Sequence, residues 1–378
     1  MIWFVTETQR ARARDLGIVV GGLPAGQHNA ITDVPGVRVG HTTLIEGSDI
    51  RTGVTAVVHD RLTGIRALSA GLATGNGFGK IVGTTQVSEL GVIETPVVLT
   101  GTLCTFRAAD ALVSYMLSLP GNEQLETVNP VVAETNDGFL SDMRRRPVTE
   151  EHVLAALRGA STGPVAEGAV GAGTGTSALG FKAGIGTSSR IVGCGPDAPG
   201  PVTLGVLVQA NFGGTLTVLG VPVPPPEPEQ AGQAAGEPGD QGEQATGEQA
   251  AGEQAAGGPG NSCVIVLATD APLDSRRLAR LAWRSFAGMA RAGSDFSGRS
   301  GDYALAFSTA PPQAGPLPDS ALDPLFVAAA DAAEEAILNS LLAAKTTAGF
   351  RGHVRPAVPL DRVRQLCGAR GVLKTDGG

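Results

Sequence analysis

The sequence predicts a layered α/β or α+β protein with helices packed outside sheets. Three observations lead there. Short apolar and β-branched runs of strand length recur, and helical apolar patterns alternate with them. No regular succession of strand–helix units is evident, so a Rossmann-type parallel sheet is not favoured. The composition is globular: 42% of residues are hydrophobic and only 17% charged, whereas disorder needs fewer apolar residues and more net charge. A chain of 378 residues can build one large core or two ordinary ones. With 54 glycines and only 4% aromatic residues, small-residue packing and Gly-rich turns are expected instead of large aromatic anchors.

The elements follow in chain order. Turns rich in Asn and Gly separate strands in the first third, as in Ala73-Thr-Gly-Asn-Gly-Phe-Gly. Leu103 to Leu119 is a helix candidate, and Pro130-Val-Val-Ala reads as a strand. Thr203-Leu-Gly-Val-Leu-Val-Gln-Ala-Asn-Phe-Gly reads as a buried strand ended by Gly213. From Pro222 to Gly260 the chain is almost wholly Pro, Glu, Gln, Gly and Ala, with repeats of Gly-Glu-Gln-Ala. Such a segment cannot bury enough apolar surface to offset its ordering entropy, so a disordered connector is expected. Ser262-Cys-Val-Ile-Val-Leu-Ala-Thr is a second buried strand, with Ser262 its first residue. Pro272 to Arg291 places Leu278, Leu281, Ala282, Ser285 and Met289 on one helical stripe, with Asp274 as N-cap. Tyr303-Ala-Leu-Ala-Phe-Ser-Thr is a third strand. Ser320 to Ala344 is a helix rich in Ala and Leu, interrupted by Asp331, Glu334 and Glu335.

Several function classes find no support. The net charge is −8, and Lys and Arg form no stripe interleaved with aromatics, so nucleic-acid binding is not expected. Cys104, Cys194, Cys263 and Cys367 lie far apart, with no CxxC and no Cys/His cluster. That spacing argues against structural zinc and a disulfide scaffold, and for reduced thiols in a cytoplasm. The run Met1-Ile-Trp-Phe-Val-Thr-Glu is too short and carries acid where a signal peptide needs base. No apolar stretch approaches a membrane span.

Candidate motifs are weighed in turn. Gly168-Ala-Val-Gly-Ala-Gly-Thr-Gly lacks both the GxGxxG register and a following Gly-Lys-Ser/Thr, and Gly79-Lys80 has Thr74 and Ile81 where a phosphate loop needs Gly and Ser/Thr. Tight structural turns are the better reading of both. His28, His41, His59, His152 and His353 form no HExxH and no pair, and no GxSxG elbow supports a serine triad. Surface or core roles are preferred for all five. Glu134-Thr-Asn-Asp-Gly sets two carboxylates and an amide beside a strand, although Asn-Asp-Gly is also an ordinary turn signal. Ser300-Gly-Asp302 is either a capping turn or a hydroxyl and carboxylate aimed at a common site. The sharpest feature is Asn261-Ser262, where the low-complexity segment meets a buried strand. Cut there, Ser262 would offer both a hydroxyl and an α-amine of pKa about 7.7–8.0, able to act as its own base. From pattern alone, a strand that happens to begin with Ser remains the plainer reading.

At these residues the sequence resembles the L-aminopeptidase/D-esterase and β-peptidyl aminopeptidase family, to which nylon-oligomer hydrolases also belong. The resemblance runs along nearly the whole chain. It is carried by Ile31-Thr-Asp-Val-Pro-Gly-Val-Arg-Val-Gly-His-Thr-Thr, Val131-Val-Ala-Glu-Thr-Asn-Asp-Gly, Gly168-Ala-Val-Gly-Ala-Gly-Thr-Gly, Gly180-Phe-Lys-Ala-Gly-Ile-Gly-Thr-Ser-Ser-Arg, Gly260-Asn-Ser, Ala268-Thr-Asp-Ala-Pro-Leu and Ala306-Phe-Ser-Thr. It implies a four-layer αββα sandwich, similar to N-terminal-nucleophile hydrolases with different connectivity. It also implies a precursor that cuts itself between Asn261 and Ser262. Residues 1–261 would be the α chain of a single catalytic domain, with 222–260 the disordered linker, and 262–378 the β chain. The chains would associate, and the αβ units would form a homo-oligomer.

By the same resemblance Ser262 is the nucleophile, Asn211 donates to the oxyanion, Glu134 holds the substrate's free amine and Asn136 lines the pocket. Ser300 and Asp302 match the hydroxyl and acid that polarise or relay protons at the nucleophile; whether they or the Ser262 amine act as base is left open. The implied substrates are short peptides or aminoacyl amides and esters, without metal or organic cofactor. The rivals are an amidase on non-peptide ω-amino oligomers and an uncleaved binding or structural homologue. The sequence departs from the family pattern in its longer linker, in Cys263 after the nucleophile and in Leu103-Cys-Thr-Phe, which leaves substrate preference undecided. As the second residue of its strand, Cys263 should face away from Ser262.

Overall fold

Alternation along one strand shows how the layers are built. In Ser262–Thr269, Cys263, Ile265 and Leu267 pack with helix residues such as Leu278 and Leu281, while Val264, Val266 and Ala268 pack with Val57, Leu99 and Ala133 of another sheet. Side chains of a strand alternate between faces, so a strand apolar on both must be covered on both. The computed structural model describes residues 10–194, 200–225, 262–311, 314–315 and 317–374. Most of the expected connector, and Asn261, lie outside the described residues.

Two sheets stack face to face. One has the order β1-β2-β6-β7-β4, from Val37–Glu46 (β1), Ile50–His59 (β2), Val97–Gly101 (β6), Val131–Thr135 (β7) and Ile81–Val82 (β4). The other has the order β8-β9-β10-β11-β3-β5, from Ile185–Val192 (β8), Val202–Asn211 (β9), Ser262–Thr269 (β10), Gly301–Ser308 (β11), Leu68–Gly77 (β3) and Val92–Ile93 (β5). In these two sheets only β6–β7 and β10–β11 pair in parallel. A core of Val57, Leu99, Val131, Leu207, Val264 and Phe307 fills the space between the sheets.

Helices close both outer faces. Thr105–Leu117 (α2) and Glu150–Arg158 (α3) cover the first sheet through Ala108, Leu112, Val153 and Leu157. Ser275–Arg291 (α4) and Leu322–Leu342 (α5) cover the second. Two shorter helices, Thr84–Leu90 (α1) and Leu360–Ala369 (α6), complete the α-helices among the described residues. The result is an αββα sandwich. Asp274 caps α4 by accepting from Arg277 N–H at 2.8 Å. The acids expected to interrupt α5 are buried instead: Glu335 accepts from Arg190 at 2.7 Å and from Arg14 at 2.8 Å, and Asp331 from Arg291 at 2.7 Å.

Two sequence-based boundaries change. Ala73–Gly77 is strand, not turn: it forms the end of β3 against β11, with an irregularity in the ladder beside Asp302 and Tyr303. The connector also starts later than Pro222. Val221–Pro222 pairs with Thr217–Val218, and Val223 is fully buried in the helix–sheet core.

Candidate active site

Ser262 is the first residue of β10 and lies directly opposite Asn211, the last residue of β9, in an antiparallel pair. Cross-strand partners project to the same face, so the register alone puts the amide beside the hydroxyl. Asn211 Nδ2 donates to Ser262 Oγ at 3.3 Å and to the Asn136 carbonyl at 2.8 Å. Its Oδ1 accepts from Ser177 N–H at 3.1 Å, which fixes which end of the amide faces the serine. The Asn136 N–H is a second donor to Ser262 Oγ, also at 3.3 Å. Ser262 and Asn211 are 3% and 1% exposed, so these donors work largely out of water.

Glu134 is the fourth residue of β7, inside the strand and not in a loop beside it. Its Oε1 accepts from Lys80 N–H at 2.9 Å and from Lys80 Nζ at 3.1 Å. A Cβ on Gly79 would stand 3.3 Å from that oxygen and 3.1 Å from the Tyr303 ring, so the glycine leaves both room to approach. Asn136, the first residue past β7, is exposed; its Oδ1 accepts from Gly138 N–H at 2.9 Å. Its backbone, rather than the side chain expected to line a pocket, reaches Ser262.

Ser300 donates to Asp302 Oδ1 at 2.6 Å. Both are buried, and burial raises the Asp302 carboxyl pKa, against the lowering effect of the Ser300 hydroxyl and of the Cys263 backbone; the second carboxylate oxygen, Oδ2, is buried without a hydrogen-bond partner among the described residues. Asp302 is the register partner of Cys263, the residue after Ser262 in β10. No described hydrogen bond joins either residue to Ser262 Oγ.

The sequence model of peptidase family S58 matches residues 29–355. The chain belongs to peptidase family S58. The beta-peptidyl aminopeptidase BapA of Sphingosinicella microcystinivorans is 40% identical over 94% of this chain and 91% of its own. A solved beta-aminopeptidase from a Burkholderia species shares 38% identity at a TM-score of 0.79, covering 97% of this chain and all (100%) of that one. The L-aminopeptidase D-Ala-esterase/amidase of Ochrobactrum anthropi shares 36% identity at a TM-score of 0.81, covering 96% of this chain and 99% of that one. The latter is described as a prototype of the serine aminopeptidases and a new variant among Ntn hydrolase folds. The family resemblance and the sandwich that it implied are both borne out.

Within the S58 sandwich, the ends of β7, β9 and β10 and the approach to β4 bring Glu134, Asn136, Asn211, Ser262 and Lys80 together. The arrangement can hold an anion at Ser262 Oγ with two N–H donors and a cation at Glu134. Two residues escaped the sequence reading. Lys80 was weighed only as part of a failed phosphate loop, and nothing local pairs it with a carboxylate 54 positions away. Lys182, between Phe181 and Ala183, is fully buried, and an isolated lysine in an apolar run was the signal available. The histidines stay out of the site: His41 bonds to Thr55 at 2.9 Å, and burial lowers its pKa to about 4. Cys263 faces the helices, as expected.

Proposed function

We propose that this S58 peptidase is cut between Asn261 and Ser262 by its own Ser262 hydroxyl, and then works as an N-terminal serine aminopeptidase. The observation that carries the reading is the convergence of Asn211 Nδ2 and Asn136 N–H on Ser262 Oγ at the first residue of a buried strand. In the reaction Ser262 Oγ attacks the carbonyl carbon of the substrate's free-amine residue. The two donors hold the tetrahedral oxyanion, each typically lowering the barrier by ~3–4 kcal/mol. The amine leaves, and water hydrolyses the acyl-enzyme. Glu134 receives the substrate's ammonium by a charge-assisted hydrogen bond. The new α-amine of Ser262 is the base, and the hydrogen-bonded Ser300–Asp302 pair lies on the neighbouring strand, in register with Cys263.

The substrates proposed are short peptides and aminoacyl amides or esters. The name of the 40% identical relative makes β-amino residues the first class to test. Intact-mass measurement on wild type and Ser262→Ala is the decisive experiment. Wild type should give chains 1–261 and 262–378, and the variant a single inactive full-length chain. Two chains from the variant would remove the autocatalytic claim; retained activity would remove the nucleophile. Matched α-amino, β-amino and ω-amino oligomer substrates then separate peptide from non-peptide amide hydrolysis.

A further inference from the structure

Lys182 is an ammonium group set in a cage of carbonyls behind the active site. It is fully buried, and its Nζ donates to the carbonyls of Gly173 at 3.0 Å and Thr176 at 2.9 Å, and to that of Ala183. Three acceptors match the three N–H bonds of the protonated amine; the neutral amine has only two. Among the described residues no carboxylate lies within ion-pair distance of it, and burial alone lowers its pKa, to about 7. A buried cation facing only dipoles is costly, so the fold holds it there against a penalty.

Its position shows where that charge acts. Ser177–Ala178 and Phe181–Lys182 form a tight hairpin, with Leu179 and Gly180 at positive φ of 55° and 84° in the turn and Ser177 directly opposite Lys182. The carbonyl of Thr176 and the N–H of Ser177 belong to one peptide group. Lys182 Nζ pulls on the oxygen of that group, and its N–H donates to Asn211 Oδ1 at 3.1 Å. The Asn211 amide in turn donates through Nδ2 to Ser262 Oγ at 3.3 Å. Cation, peptide, side-chain amide and serine thus form one chain in which every hydrogen bond points the same way. Withdrawing electrons from the first amide makes its N–H a stronger donor, and the effect passes to the second.

We propose that Lys182 is a positioning residue whose buried ammonium orients and polarises, through two amides in series, the Asn211 donor that stabilises the oxyanion. The proposal rests on Ser262 as nucleophile and Asn211 as oxyanion donor. It extends the oxyanion machinery to a residue that never meets the substrate. The Gly-rich run around Gly173 is then the carbonyl lining of the cage, which is a use for a glycine loop other than phosphate binding.

The test compares Lys182→Gln, which keeps two N–H donors and drops the charge, with Lys182→Met. Both are made in the wild-type and Asn211→Ala backgrounds, and kcat is counted per chain beginning at Ser262. Lys182→Gln should lower kcat about tenfold, with KM within about twofold, because the strengthened bond forms with the transition state and not with bound substrate. In the Asn211→Ala background the same substitution should cost less than about twofold, since the donor through which it acts is gone. An unchanged kcat in folded Lys182→Gln overturns the proposal. So does an equal loss in both backgrounds. If neither variant folds, the lysine is architectural and the proposal also falls. Activity in Ser262→Ala, or an unchanged kcat in Asn211→Ala alone, would instead strike the underlying nucleophile reading.

Discussion

Glu134 already holds an ammonium, that of Lys80, on the oxygen that also takes the Lys80 backbone N–H. The Glu134 side chain is nearly buried while the lysine side chain is about a third exposed (4% against 35%), so the cation faces solvent and the carboxylate does not. A partly desolvated carboxylate rewards a second cation far more than an exposed one would. Under the proposed function Glu134 reads the free amine, and Lys80 holds the place of that amine. Glu134→Gln keeps the shape and removes the charge. The variant should still cut itself, because processing involves no free amine. It should lose most kcat/KM on free-amine substrates, with a much smaller loss on N-acetylated analogues. An equal loss on a matched pair would make Glu134 structural or generally catalytic. The sequence pointed to Glu134 and Asn211 through the family resemblance. It could not show that Asn136 contributes its backbone, because an N–H is common to nearly every residue type and leaves no trace in composition.

The loop after β7 is the element that presents this N–H, and its first turn is pinned from below. Leu140 N–H and Ser141 N–H both donate to the Asp137 carbonyl, at 3.2 and 3.0 Å. The Asp137 side chain is 2% exposed, and its Oδ2 has no hydrogen-bond partner. Burial raises its pKa from 3.8 to about 7, with a further push from Glu134, against the Thr52 hydroxyl, which lowers it. The folded state therefore holds this proton more tightly than the unfolded state does. The resulting stabilisation is complete below about pH 4 and is lost as pH rises through about 7. Asp137→Asn keeps the shape and cannot titrate. Urea unfolding of both proteins from pH 4 to pH 8 should show stability shifting in favour of the variant as pH rises, and a constant difference would refute it. Other elements were easier to read. β9, β10, β11 and α4 were legible because their apolar runs and stripe are continuous. β3 was not, because its glycines look like turn signals. Gly71, just before the run read as a turn, serves close packing: a Cβ there would come within 2.2 Å of Ala279 N on α4. Sequence shows the glycine but not the helix that needs its missing side chain.

For the molecule as a whole, the proposed boundary at Ser262 would divide a sheet and not two domains. β9 pairs with β10 from Leu204–Thr269 to Asn211–Ser262, and β10 pairs with β11 along its whole length. Chains 1–261 and 262–378 should therefore co-elute on size exclusion at neutral pH and separate only in denaturant. Separation in native buffer would contradict the shared sandwich. Among the described residues no helix is long and apolar enough to cross a membrane. Chain ends usually fray, yet the proposed new terminus would start a strand flanked on both sides in the interior of a six-stranded sheet. The groups that would drive the cut come from β7, β9 and β10, and they meet only after both sheets have stacked. Maturation under this scheme is a self-administered inspection: a chain that has misassembled cannot release its own nucleophile, so the cell receives a working hydrolase only from copies that have already folded correctly.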